Sequence, residues 1–295
     1  MARILAISSQ VARGNVGLSI IVPALQALGH DVMALPTVLL SNHPGHAHVA
    51  GTRIEPAVLH KMLDALEANG WLAGIDGVLT GYLPTPEHVT FAAAAVGRSR
   101  RANPRMHVMY LCDPVLGDDP KGLYISEVAA KAIRDELIQL ADIATPNRFE
   151  LSFLNPARAE IRSHEDALNF HLDCTTTIAT SIPSFAPGET MNALYSAGAT
   201  ALTRVPLRDA APHGTGDLFS ALALSATLNG SPVFDVLAFA TAGVDAVLAA
   251  SAGGDELATT ALLRNQGRML TWPIANIAGD TETGWVVLSP WQPQK

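Results

Sequence analysis

The chain has 295 residues, 48% of them hydrophobic and 16% charged, with a net charge of −8 and four lysines. That composition excludes a disordered chain and argues against a nucleic-acid backbone or a membrane surface as the main partner, because either would call for clustered basic side chains. Two cysteines, Cys112 and Cys174, are too few for a disulfide framework, so a reducing cytoplasm is expected, and the length suits a single α/β domain over residues 1–295.

Met1 to Ile7 turns polar too soon for a signal peptide and reads as a first strand over Arg3–Ser8. Further strands are expected at Asp31–Thr37, Gly77–Thr80, Met106–Cys112, Ile143–Thr145 and Thr176–Thr180. Between them amphipathic spacing predicts helices near Gly17–Leu28, Pro56–Asn69, Pro86–Arg101, Ser126–Leu140 and Arg148–Leu154. This alternation is the signature of βα units on a mostly parallel sheet, and a mean hydropathy of +0.23 suits a sheet covered on both faces. After Pro187 the pattern changes: Met191–Ser196 and Thr200–Val205 around Ala197-Gly198 read as an antiparallel hairpin at the sheet edge. Helices then follow from Gly214 to about Asn229 and from Val233 to Ala252. The latter is interrupted by Asp235 and Asp245 and is read as a buried helix, not a membrane span.

The segment Gly214-Thr215-Gly216-Asp217 opens the first of these helices. Two glycines let the backbone approach a ligand closely, successive N–H groups can share one concavity, and the helix N-terminus favours an anion. Asp217 in the first turn is within reach of whatever those amides hold, although an acidic residue there is also an ordinary cap. Asp113-Pro114 and Thr145-Pro146-Asn147-Arg148-Phe149-Glu150 each follow a strand and each offer a carboxylate. Together with Asn147 they suit a hard cation such as Mg²⁺ bridged to phosphates; separately they read as a turn opener and a capping box. No Gly-x-x-x-x-Gly-Lys-Ser/Thr motif occurs, and no Gly-x-Gly-x-x-Gly follows the first strand, which excludes a literal P-loop and a dinucleotide fingerprint. The three histidines of His43-Pro44-Gly45-His46-Ala47-His48 lack a nearby cysteine or carboxylate, so a flap over a pocket or a solvated loop accounts for them as well as a metal site does. Thr180-Ser181, closing a strand, could reach a phosphate or simply turn the chain.

Taken in order, Ile4 to Val11 with Gly14 and Gly17, Ser41-Asn42-His43, Gly81-Tyr82-Leu83, Cys112-Asp113-Pro114-Val115-Leu116-Gly117, Ala141 to Glu150 and Gly214 to Asp217 resemble the pyridoxal kinases of the ribokinase-like superfamily. The resemblance runs from residue 3 to about residue 250. It implies a three-layer α/β/α fold with a mostly parallel central sheet and an antiparallel edge hairpin, and ATP-dependent phosphorylation of the 5′-hydroxymethyl group of pyridoxal or a related B6 vitamer. Carried over by position, it makes Asp217 the base and the amides of Gly214, Thr215 and Gly216 the anion hole. Asp113, Asn147 and Glu150 would organise Mg²⁺ and the ATP phosphates, with Asp113 and Glu150 as the metal residues. Thr145, Thr180 and Ser181 would lie on the nucleotide side, Val205 and Leu207 beside the adenine, and Ser9, His43, Pro44, Gly45, His46 and Tyr82 around the vitamer. It also implies a monovalent cation such as K⁺ and a homodimer. Where the family often has Thr after Ser-Asn-His and a tyrosine two residues on, this chain has Pro44 and His46. A hydroxymethylpyrimidine or other small-alcohol kinase, and a non-catalytic vitamer- or nucleotide-binding protein, are the alternatives.

Overall fold

The structure, a computed structural model, describes residues 1–155, 160–163, 166–167, 172–208, 211–265, 275–278 and 286–287. Its first strand, β1 (Arg3–Val11), pairs in parallel with β2 (Asp31–Leu40) on one side and β4 (Gly77–Thr80) on the other. From β4 the parallel run continues through β5 (Met109–Cys112) and β8 (Ile143–Ala144) to β9 (Thr176–Pro183). β10 (Glu189–Ser196) and β11 (Ala199–Pro206) then add antiparallel, followed by β12 (Ala275–Ala278) and β13 (Val286–Val287), while β3 (Gly51–Arg53) pairs antiparallel with β2 at the opposite edge. A separate two-stranded ribbon, β6 (Gly117–Asp118) with β7 (Gly122–Leu123), follows β5.

Helices cover both faces, and the alternation of side chains along β1 explains why. Leu5 and Ile7 join a core with Leu59 and Leu63 of α2 (Pro56–Ala68), Phe91 and Val96 of α3 (Pro86–Ala102) and Ala129 of α4 (Glu127–Ala132). Ile4 and Ala6 point the other way, to Ile20 and Leu25 of α1 (Leu18–Ala27), Leu218 and Leu222 of α6 (Thr215–Leu228) and Leu237 and Val247 of α7 (Val233–Ala250). A strand buried on both faces needs apolar residues at every position, and Ile4 to Ile7 supply them. Among the described residues α7 is the one helix long and apolar enough to cross a membrane. Its Val236, Leu237, Ala240 and Val247 are buried in this second core, as its reading as a buried helix anticipates.

Most predicted elements lie where the periodicity puts them, and the differences have local causes. β5 starts at Met109, three residues later than expected, because Met109 pairs with Gly77, the first residue of β4, and Met106 to Val108 have no strand beside them. The helix expected over Ser126–Leu140 begins as α4, capped by the Ser126 hydroxyl, and then widens into a π turn over Ile133–Leu137 and tightens into a 3₁₀ turn over Ile138–Leu140. The change of pitch keeps Ile133, Leu137 and Ile138 buried. The hairpin turns at Ala197-Gly198, both with positive φ (49° and 78°), the geometry of a tight two-residue turn. α5 (Arg148–Leu154) matches its expected range, and a short α8 (Thr260–Asn265) follows α7.

Candidate active site

The parallel strands all end at one edge, and the chain turns there into loops that face one another. β9 is antiparallel to β10, and β10 to β11, so two reversals return the chain at Val205–Leu207 to the edge where Thr180 and Ser181 emerge. This is the edge at which open α/β sheets bind ligands.

The glycine turn opens α6. Gly214 is left-handed, with φ 98°, and a Cβ there would sit 1.9 Å from the carbonyl oxygen of Asn15, so both its backbone shape and the close packing of the 12–17 loop require glycine. Gly216 differs. Its φ is not in the left-handed region and, beyond its chain neighbours and its own helix backbone, nothing lies within 4 Å of where its Cβ would be, so the space it keeps clear is open cleft. Thr215 and Gly216 line that cleft, at the positive end of a 14-residue helix.

Asp217, in the first turn of α6, is half-buried, and its Oδ2 accepts a 2.9 Å hydrogen bond from the backbone N–H of Gly17. A Cβ on Gly81 would lie 2.4 Å from Ser8 Oγ and 3.7 Å from Asp217 Oδ1, so the end of β4 passes close beside this carboxylate. Burial pushes the Asp217 carboxyl up to about 6, against the pull of the Gly17 N–H. Asp113, just past β5, is buried, with Oδ2 lacking any hydrogen-bond partner among the protein groups. Its pKa is raised by burial and by the Asp217 carboxylate, and a hydrogen bond from Ser220 opposes the rise. Ser220 in turn pairs with Thr145 Oγ1 at 2.8 Å.

Glu150 is buried, and each of its carboxylate oxygens takes a backbone N–H: Leu116 at 2.9 Å on Oε1 and Asn147 at 2.8 Å on Oε2. Asn147 Oδ1 accepts from the Glu150 N–H at 2.9 Å, completing a capping box, and Asn147 Nδ2 donates to the Gly117 carbonyl. The two loops that follow β5 and β8 are thereby tied together. Burial and the nearby Asp113 raise the Glu150 pKa, while its backbone donors lower it. Among the described residues no three His, Cys, Asp or Glu side chains converge into a ready metal cage, and the histidines at 43, 46 and 48 form none. Cys112 is buried with its thiol pushed up to about 12 by burial, an inert thiol as its strand position implies.

The cleft, about 200 Å³, is lined by Thr180, Ser181, Val205, Leu207, Thr215 and Gly216. Ser181 adopts φ 57°, unusual for a residue with a side chain, at the mouth. Its lining also contains residues the sequence reading did not single out: Phe219, one turn into α6, and Arg208, whose Nη2 meets Asp245 Oδ1 of α7 at 2.5 Å. A charge inside the apolar run of α7 was the signal available for Asp245. Its partner carried none.

On the other side of Asp217 lie the residues expected around the vitamer. A Cβ on Gly17 would meet Ser9 Oγ and the Ser9 carbonyl at 2.3 Å, so Ser9 faces the same loop that holds Asp217. Ser8, not Ser9, accepts the Tyr82 N–H. Tyr82 is half-buried, its hydroxyl pKa raised by burial, and its carbonyl accepts from Thr37 Oγ1. His43 stacks on His213, with ring centroids 3.8 Å apart and an interplanar angle of 25°, and accepts the Gly45 N–H on Nδ1. Pro44, Gly45 and His46 are exposed. The 43–46 loop therefore leans onto the residue just before the glycine turn, the geometry expected of a flap. Burial, then His213, Lys121 and His46, lower the His43 pKa to about 4, so the stacked imidazole is neutral at neutral pH.

The family model described as phosphomethylpyrimidine kinase matches residues 20–259. The pyridoxal kinase PdxY of Deinococcus radiodurans is 35% identical over 230 residues, covering 74% of this chain and 76% of that protein. The pyridoxal kinase of Sus scrofa is 35% identical over 246 residues, covering 77% and 75%. Among solved structures, the pyridoxal kinase of Leishmania donovani in complex with ADP and pyridoxine superimposes with a TM-score of 0.81 at 28% identity, covering 98% of this chain and 99% of that one. By sequence and by fold, the chain belongs to the pyridoxal kinase family, within the group that the phosphomethylpyrimidine kinase model describes.

Proposed function

We propose that this protein is an ATP-dependent kinase that phosphorylates the 5′-hydroxymethyl group of pyridoxal or a related B6 vitamer. The observation that carries the reading is the position of Asp217: one carboxylate between a cleft that opens on Thr215 and Gly216 and a loop cluster of Ser9, Tyr82 and His43. Phosphoryl transfer asks mainly for positioning and for charge stabilisation at the moving phosphoryl group. ATP would enter the cleft with its adenine against Val205 and Leu207 and its γ-phosphate against the N–H groups of Thr215 and Gly216, at the positive end of α6. Thr180 and Ser181 line the same cleft. The alcohol proton passes to Asp217, the alcohol oxygen bonds to the γ-phosphorus, and the bond to the β,γ-bridging oxygen breaks, leaving ADP and the 5′-phosphate.

Mg²⁺ would neutralise charge on the β- and γ-phosphates when bound. Asp113 fits such an ion, because Oδ2 is a buried acceptor without a protein donor. Glu150 fits as a supporting carboxylate, since both its oxygens already take backbone N–H groups. A monovalent cation such as K⁺, a homodimer, a single functional domain and a cytoplasmic setting complete the proposal, resting on family likeness and, for the setting, on two unpaired cysteines.

The test is a coupled assay of purified protein with Mg-ATP across pyridoxal, pyridoxine, pyridoxamine and hydroxymethylpyrimidine, reading ADP and the phosphorylated product. Pyridoxal 5′-phosphate formation supports the reading. Turnover of hydroxymethylpyrimidine alone would overturn the substrate, and binding of all four without ADP release would overturn the activity.

A further inference from the structure

The loop that holds Asp217 is itself held by a residue distant in sequence from both. Glu256 lies after α7, and its Oε2 accepts the backbone N–H of Asn15 at 3.1 Å; Asn15 Nδ2 donates to the Leu257 carbonyl at 2.9 Å. A Cβ on Gly14 would approach the same carboxylate to 3.2 Å, so the 12–17 loop lies directly on it. Two residues beyond Asn15, Gly17 gives its N–H to Asp217, and the Asn15 carbonyl lies against Gly214. The 12–17 loop is thus fastened at one end to Glu256 and at the other to the base and its glycine turn. α6 and α7 carry Asp217 and the Glu256 loop respectively and pack in one core, so the two fastenings share a rigid support.

We propose that Glu256 is a positioning residue of the reaction, clamping the 12–17 loop through Asn15 so that the Gly17 N–H stays on Asp217 and the carboxylate keeps its aim. This rests on the reading of Asp217 as the base. The hydrogen bond from Gly17 favours the ionised carboxylate, so a loosened loop lets the Asp217 pKa climb further. The charged group facing Asp217 is Asp113; those facing Glu256 are Arg13, which also pairs with Asp255, and His213. None of these replaces the Gly17 donor.

The full chain is assayed with Mg-ATP and pyridoxal over pH 5 to 9 as wild type, Glu256→Ala, Glu256→Met, Glu256→Gln, Asp255→Ala and Asp217→Asn. The clamp requires Glu256→Ala to lower kcat by about 10- to 100-fold, the scale of a misplaced catalytic group, with KM for ATP nearly unchanged and the acid limb of the profile moved to higher pH. Glu256→Gln, whose amide oxygen still accepts from Asn15, restores most of kcat and the position of the limb. Asp255→Ala, which removes an exposed pair with Arg13, behaves as wild type. Should Glu256→Ala not fold, Glu256→Met, which keeps the length of the side chain without an acceptor for the Asn15 N–H, takes its place with the same shifted limb expected. A Glu256→Ala profile superimposed on wild type, or a change confined to KM, overturns the clamp while an inactive Asp217→Asn leaves the base standing; an active Asp217→Asn overturns the base instead.

Discussion

Asp217 and Gly17 meet across 200 positions of sequence, the backbone N–H of Gly17 donating to Asp217 Oδ2 at 2.9 Å. Burial and this donor act in opposite senses on the carboxylate, and burial wins, leaving it near 6 where an ordinary aspartate stands at 3.8. A base close to neutrality accepts a proton more readily than one two units lower and still starts unprotonated at pH 7.

The acid limb of activity follows from that value. With Asp217 as the proposed base, only its ionised form can take the alcohol proton, so kcat/KM for pyridoxal should fall as pH drops through about 6, and not first near 4. A pH–rate profile at subsaturating pyridoxal checks it, and activity held constant down to pH 5 would contradict the placement of the base.

Asp217→Asn should lower kcat by about 10²- to 10⁴-fold with nucleotide binding retained, and it should also stabilise the fold at high pH. The folded-state pKa lies above the unfolded one, so the stability associated with this group is fully present below 3.8 and is lost as pH rises through about 6. Removing the ionisation removes that loss, worth about 1–3 kcal/mol at pH 8 and nothing below pH 4. Thermal melts at the two pH values measure the difference, and equal gains at both would show another cause.

Gly214→Ala and Gly216→Ala should fail in different ways. At Gly214 the new methyl would overlap the Asn15 carbonyl in a left-handed backbone, so Tm should fall, with a cost of about 1–3 kcal/mol from the backbone alone. At Gly216 the methyl enters open cleft, so Tm should stay within error while ATP affinity and kcat fall. Melting curves with and without ATP separate the two.

His213→Ala removes the ring on which His43 stacks and should loosen the 43–46 loop. The expected result is a several-fold rise in KM for pyridoxal, with a smaller change in KM for ATP, since His213 is not among the residues lining the nucleotide cleft. Steady-state kinetics with each substrate varied in turn reads this out.

Local signals made much of this protein legible. Alternating apolar runs announced the parallel strands, Ala197-Gly198 the hairpin, and Asn147 with Glu150 the start of α5, because each depends on residues a few positions apart. The short strands β3, β6, β7, β12 and β13 had no such signal: unlike the equally short β4 and β8 they are not apolar runs set between two helices, and they exist because a neighbouring strand offers its backbone.

The candidate site divides along the same line. Residue identity by itself determined that Gly214 to Gly216 could expose amides to an anion, that Asp217 would stand beside them, and that Asp113 and Glu150 would follow strands of one sheet. Which group meets which was decided by the order of strands and the packing of α6 and α7. That arrangement sets Gly17 on Asp217, Glu256 on Asn15 and His43 on His213, and leaves Asp113 Oδ2 buried without a donor. Contacts between residues so far apart in sequence come from the closing of two cores on one sheet, and no window of neighbouring residues contains them.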